Sequence, residues 1–253
     1  MDGFHEIESA FYPIPWTDIL EIVPDDSSKG SVVFTSTGIE IPKSGKPNLC
    51  EQVYFIMTEK YALPSVKMHL HKTVPIGAGL GGGSADAAFA AKMLNELFEL
   101  QLSLVELEAI VSTVGSDCPF FIQNKPAFVT GRGEKLAPIK LDLSGLWMVL
   151  VNPNIHVGTA VAYAGITPRE PELSSKKILE KDIASWRESV TNDFEESIFA
   201  SHPDIKEIKN NLYKVGAVYA SMTGSGSTVY GLFEMHPANL IFSSTYMTKI
   251  VQL

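Results

Sequence analysis

Between a strand-like run and a helix-like run lies Pro75-Ile76-Gly77-Ala78-Gly79-Leu80-Gly81-Gly82-Gly83-Ser84-Ala85-Asp86-Ala87-Ala88. Five glycines and a serine occupy its centre. Side chains there would hold a ligand off the backbone. Glycines let it approach and let successive N–H groups converge on one point. The helix behind the loop adds orphan N–H donors and the positive end of its dipole. Such a segment is an anion cradle, and the common biological anion for it is phosphate. A loop that was only a flexible turn would have no need of that flanking strand and helix.

Familiar glycine signatures do not account for it. Gly77-Ala78-Gly79-Leu80-Gly81-Gly82 satisfies G-x-G-x-x-G. That dinucleotide fingerprint requires a second strand after the helix, ending in an acid that holds a ribose. Here a second helical pattern follows instead, opened by the capping box Ser103-Leu104-Val105-Glu106 and closed by Gly115. A Walker A loop needs Gly-Lys-Ser/Thr, and no lysine follows these glycines. The protein-kinase set is excluded too, since neither His-Arg-Asp nor Asp-Phe-Gly occurs.

The whole chain narrows the partners. With 253 residues it can bury a sizeable core, as one large domain or two smaller ones. A formal charge of −9 argues against a nucleic-acid partner, because phosphate backbones select basic faces. An acidic chain that binds phosphate must do so locally. Mean hydropathy of +0.10 is ordinary for a soluble enzyme. No apolar run reaches the ~18 residues of a membrane helix, and no leader peptide is recognised. Cys50 and Cys118 are far apart in sequence and need not pair, so a reduced, cytoplasmic setting is expected.

Periodicity supplies a coarse map. Residues 6–23 read as extended, broken by Pro13 and Pro15. Residues 31–42 read as a hairpin around Ser36-Thr37-Gly38. Helical spacing runs from Asn48 to Tyr61. Val66, Met68 and Leu70 alternate with Lys67, His69 and His71, a half-buried strand. The two histidines have metal-ligand spacing, but two solvent-side strand residues are the simpler reading. Ser84 is a helix N-cap, a phosphate-reaching hydroxyl, or both. A turn is expected at Gly131-Arg132-Gly133-Glu134, and Leu146–Val151 begins a second unit near residue 143. This divides the chain into 1–142 and 143–253. Helical patterns follow at 177–188 and 203–214, then strands at 217–222 and 228–233 joined by Thr223-Gly224-Ser225-Gly226-Ser227.

Three segments together resemble a known family. Pro-x-x-x-Gly-Leu-Gly-Gly-Gly-Ser resembles the phosphate loop of the GHMP kinases. Gly115-Ser116-Asp117-Cys118-Pro119-Phe120-Phe121 resembles their aspartate segment, and Thr223–Ser227 their third glycine motif. Order and spacing are similar to the branch that acts on 4-diphosphocytidyl-2-C-methyl-D-erythritol. So are Asp2-Gly3-Phe4-His5-Glu6 and Asn192-Asp193-Phe194-Glu195.

The resemblance implies an α+β, two-lobed fold with its active site in the cleft between the lobes. It implies ATP with Mg²⁺, no assigned protein metal ligands, and a small-molecule alcohol as phosphoryl acceptor. The nucleotide contacts it implies are Pro75, Ile76, Gly77, Ala78, Gly79, Leu80, Gly81, Gly82, Gly83, Ser84 and Ala85. Gly224, Ser225 and Gly226 join them, with Lys72 and Asn48 near the nucleotide. Asp117, which by sequence alone is as good an N-cap for residues 118–123, is implied as the catalytic residue. Phe4 and Tyr163 would sandwich a cytosine, His5 would read its polar edge, and Thr159 lies on the same stretch as Tyr163. In the family an opening strand with Lys-x-Asn precedes the segment matching Asp2–His5. It has no counterpart here, so an open sheet edge is expected. Another GHMP small-molecule kinase, or a family member that binds nucleotide without turnover, are the alternatives.

Overall fold

The computed structural model describes residues 6–26, 30–43, 45–168 and 174–253. Phe4 and His5 lie outside the described residues. Among the described residues the chain builds three small sheets. Strands β2 (Ile19–Pro24), β4 (Val66–Lys72) and β3 (Val32–Gly38) form the first, in the order β2-β4-β3. Strands β1 (Ser9–Phe11), β5 (Ala127–Thr130) and β6 (Lys135–Pro138) form the second, in the order β1-β5-β6. Strands β10 (Met247–Gln252), β7 (Trp147–Asn152), β9 (Val229–Phe233) and β8 (Tyr219–Met222) form the third, an antiparallel sheet in that order. Among the described residues β5 is the only strand beside β1, so its other edge is open.

The alternation expected in β4 decides the first core. Val66, Met68 and Leu70 are buried against Val53, Tyr54 and Met57 of helix α1 (Leu49–Tyr61) and against helix α2 (Gly82–Leu97). Helix α2 buries Ala87, Ala88, Ala90, Ala91 and Leu94. Its small side chains let it lie close under the sheet. Helix α3 (Leu104–Ser112), opened by the Ser103–Glu106 capping box, and helix α4 (Cys118–Gln123) pack on α2. His69 and His71 lie on the other face, where Thr35 and Thr37 hydrogen-bond their rings at 2.8–3.0 Å.

Strand β7 is buried on both faces, which explains its unbroken apolar run. Val149 and Val151 face Ile205, Ile208 and Leu212 of helix α9 (Pro203–Lys214). Met148 and Leu150 face the other way, into a cluster with Trp186, Tyr219 and Leu232. Ala10, Tyr12, Ile14, Trp16 and Leu80 join that cluster, so residues from both halves of the chain share it.

The structure departs from the map at several points. Residues 31–42 are not a hairpin. The run is the single strand β3, which pairs in parallel with β4 across the α1 crossover. Gly38 is the strand's end, with φ +81 and its Cβ position 2.1 Å from the Lys72 carbonyl oxygen, so only glycine fits there. The pattern at 177–188 breaks into α6 (Ser175–Leu179), a 3₁₀ turn (Ile183–Ser185) and α7 (Trp186–Ser189). The Asp182 side chain accepts from Ala184 N at 2.9 Å and starts the turn afresh. Helices α5 (Thr159–Ala164) and α8 (Glu195–Ser201), and strand β10, had no sequence signal strong enough to assign.

Candidate active site

The glycine loop leaves β4 and enters α2. Gly77, Gly79 and Gly81 have positive φ, at +63, +76 and +67. Gly79 also meets another segment: a Cβ there would lie 2.0 Å from the Thr223 carbonyl oxygen. Thr223 Oγ1 in turn donates to the Gly79 carbonyl at 2.9 Å, and Thr228 N donates to that of Ala78 at 3.3 Å. The first and third glycine motifs therefore interlock, backbone on backbone. The N-cap of α2 is Gly81, in left-handed conformation and with no side-chain cap. Ser84 is the third helical residue, not the cap, and its hydroxyl bonds the Cys118 thiol. The first N–H groups of α2 thus have no side-chain cap from Gly81 and mark an anion site.

The loop's base is charged. Lys72 is buried and its ammonium pairs with Asp18 and, at 2.7 Å, with Asp86 of α2. It lies 3.4 Å from the Gly82 Cβ position, beneath the backbone. Asn48, the other residue expected near a nucleotide, caps α1: its side chain accepts from Cys50 N at 2.9 Å, and Glu51 accepts from Asn48 N at 2.7 Å. In this arrangement both side chains make structural bonds.

Asp117 stands at the N-cap position of α4 and makes no capping bond. Its carboxylate accepts instead from Ser116 Oγ at 3.1 Å, and the Gly133 Cβ position lies 2.9 Å from its Oδ1. The β5–β6 turn thereby crowds it from one side. Burial raises its pKa above the ordinary carboxylate value, against the Ser116 hydrogen bond. On α4, Phe121 lies 2.9 Å from the Gly81 Cβ position, which puts the aspartate's helix against the end of the loop. Tyr163 of α5 is held edge-on by Phe194, with ring centroids 5.0 Å apart. Burial, and then the charge of Asp117, raise the pKa of its phenol. Thr159, one helical turn earlier, shares its side of α5 and is exposed. Asn192 Nδ2 donates to the Met222 and Gly224 carbonyls at 2.7 and 2.8 Å, clamping the third glycine turn.

Residues 48–131 match the GHMP kinases N-terminal domain, and residues 174–243 the GHMP kinases C-terminal domain. The chain is 48% identical to the 4-diphosphocytidyl-2-C-methyl-D-erythritol kinase of Cytophaga hutchinsonii, over 93% of this chain and 86% of that protein. This chain belongs to the GHMP kinase family. The same enzyme of Parabacteroides distasonis is also 48% identical, over 92% of this chain and 84% of that protein. Among solved structures, a 4-(cytidine 5'-diphospho)-2C-methyl-D-erythritol kinase superposes with a TM-score of 0.77 and 31% identity, covering 91% of this chain and 82% of that one. The homoserine kinase of Cytophaga hutchinsonii, at 16% identity and TM-score 0.70, shares the fold.

In this GHMP kinase the structure interlocks the loop with the third glycine turn and sets the helix that follows Asp117 against the loop's end, while Thr159 and Tyr163 share one side of α5. Asp86, Thr223 and Asn192 lie within the motifs read from the sequence and Asp18 outside them, but the supporting bonds of all four are visible only in the fold. Their partners are 14 to 144 residues away in sequence, so no local spacing marks them. Among the described residues no group of three or more His, Cys, Asp or Glu forms a metal cage. No helix among the described residues is long and apolar enough to cross a membrane.

Proposed function

We propose that this GHMP kinase transfers the γ-phosphoryl of ATP to the 2-hydroxyl of 4-diphosphocytidyl-2-C-methyl-D-erythritol, in non-mevalonate isoprenoid precursor synthesis, in the cytoplasm. The observation that carries the reading is the Asp117 carboxylate. It occupies a capping position without capping, on a helix that lies against the end of the glycine loop.

Phosphoryl transfer needs donor and acceptor in line and charge neutralised, with little covalent help. The N–H groups of Pro75–Ala85, proline excepted, and of Gly224–Gly226 hold the phosphates. A Mg²⁺ bound with the nucleotide would supply the neutralisation of their charge. Asp117 accepts a hydrogen bond from the substrate hydroxyl and orients its oxygen toward the γ-phosphorus. As the new O–P bond forms and the bond to the bridging oxygen of ADP breaks, the hydroxyl proton passes to Asp117. A carboxylate with a raised pKa is a better acceptor than a free one, near ~3.9, yet still a weak base. Its proton therefore transfers late. Tyr163 offers a ring for the cytosine; Phe4 and His5 would supply the second ring and the reading of the polar edge. The unit 1–142 carries loop and aspartate, and the unit 143–253 the third motif and Tyr163.

Asp117→Asn tests this reading. ATP affinity, by calorimetry, should stay near wild type while turnover of the cytidine substrate falls at least ~10²-fold, the scale for a lost proton acceptor. Near-normal turnover would reject the role.

A further inference from the structure

The charged cluster at the loop's base is built across three elements. Asp18 precedes β2, Lys72 ends β4, and Asp86 stands in the second turn of α2. Asp18 Oδ1 accepts from Thr73 N at 2.6 Å and Val74 N at 2.9 Å, the two residues that lead into Pro75. Asp18 Oδ2 binds the Lys72 ammonium, and that ammonium binds Asp86 at 2.7 Å. Side-chain exposure is 3% for Lys72, 5% for Asp18 and 8% for Asp86. Both ends of the loop are thus tied to one buried cation. Two carboxylates face that cation, so with both ionised the cluster is net negative directly beneath a site for anions.

We propose that Asp18 and Asp86, acting through Lys72, are positioning residues for the nucleotide phosphates, and that the cluster takes up a proton at Asp86 when a polyphosphate settles above it. The inference rests on the ATP site proposed above. Geometry supplies the first half: Asp18 fixes the inbound end of the loop, and Asp86 the helix whose first N–H groups receive the phosphate. Charge supplies the second: a third negative group favours the state with one carboxylate neutral.

Asp86 is the carboxylate that takes the proton. Burial, and then the neighbouring Asp18, push it up to about 6 against the pull of Lys72. Asp18 keeps two N–H donors and the ammonium. The other groups around Asp86 do not compete. Cys50 of α1 stays a neutral thiol, its pKa held high by burial. Cys118 of α4 is likewise raised by burial, and the Asp117 carboxylate accepts from Ser116 Oγ. On α3, Glu106 bonds Ser103 and Glu108 bonds Gln123; Glu21 of β2 stands opposite His69.

The test is a calorimetric titration of the whole chain with Mg²⁺-ATP, from pH 6 to 8, in buffers of different ionisation enthalpy. The wild type should bind more tightly toward pH 6 and take up on the order of half a proton per ATP near pH 6.5. Asp86→Asn keeps the size and a bond to Lys72. It should bind several-fold more tightly at pH 8 and lose both the proton uptake and the pH dependence. Asp18→Ala should weaken ATP roughly tenfold at every pH, the scale of losing bonds to a charged acceptor. It should leave the KM of the cytidine substrate within about twofold, and Asp18→Asn should restore most of the ATP affinity. Equal proton uptake in wild type and Asp86→Asn would overturn the proton site. An Asp18→Ala protein that binds ATP as wild type, or that loses ATP and cytidine substrate alike, would overturn the positioning role. A wild type that binds no ATP would overturn the ATP site itself.

Discussion

Tyr163 shows how little of a residue's role lies in its own identity. A tyrosine in a six-residue helix is ordinarily a surface or core aromatic. What distinguishes this one is its edge-on seat on Phe194. A ring fixed in orientation before binding loses little entropy when a base stacks on it. Tyr163→Ala should weaken CDP binding by ~1–3 kcal/mol, while Tyr163→Phe, which keeps the face, should cost little. Titration with CDP and separately with ATP reads both effects. An alanine variant that binds CDP normally, or loses ATP to the same extent, would remove Tyr163 from the cytosine site.

Elements act here through contacts between turns. The phosphate loop and the β8–β9 turn fit only because Gly79 has no side chain: its Cβ position lies 2.0 Å from the Thr223 carbonyl. Gly79→Ala must therefore move one turn off the other, besides the roughly 1–2 kcal/mol that a left-handed conformation costs an L-residue. Gly216→Ala isolates that backbone cost, since Gly216 has φ +100 and nothing within 4 Å of its Cβ position. Both variants should lose thermal stability, and Gly79→Ala alone should lose ATP binding. Equal ATP affinity in the two would mean that the interlock does not shape the loop. The Asn192 clamp on Gly224 and the Thr223 bond to Gly79 act on the same pair of turns.

For the molecule as a whole, buried charge makes stability depend on pH. Asp86 is raised to about 6 in the folded chain, above its ordinary value of 3.8. Between those two values the folded state binds more protons than the unfolded state. The contribution of Asp86 is therefore fully present below about pH 4 and lost as pH rises through about 6. Asp86→Asn, neutral at every pH, should gain melting temperature relative to wild type as pH goes from 4 to 7.5. Scanning fluorimetry across that range checks it, and a constant difference would show that Asp86 does not titrate there. The halves of the chain are joined by packing and not by this charge, since Asp18, Lys72 and Asp86 all lie in the first half. The cluster around Trp186 and Leu232 takes Tyr12, Ile14 and Trp16 from the first half, so it spans both halves beside the core that each half builds from its own residues.

By itself the sequence determined whatever depends on a few neighbouring residues. The glycine loop, the Ser103–Glu106 capping box, the alternation of β4, the helix at 203–214 and the strands flanking Thr223–Ser227 were all legible, because caps, turns and periodicities are local. Its motifs also marked the family. Tertiary structure decided the rest. Ser36-Thr37-Gly38 has the composition of a hairpin turn, but only the α1 crossover and the partner β4 make β3 one parallel strand. Lys72 and Asn48 carry groups that suit a nucleotide, yet Asp18, Asp86 and the α1 backbone engage them first. Asp117 could cap or catalyse by sequence, and the folded chain turns its carboxylate away from any capping bond. In each case the deciding partner is either remote in sequence or a matter of side-chain direction, and local residue spacing encodes neither.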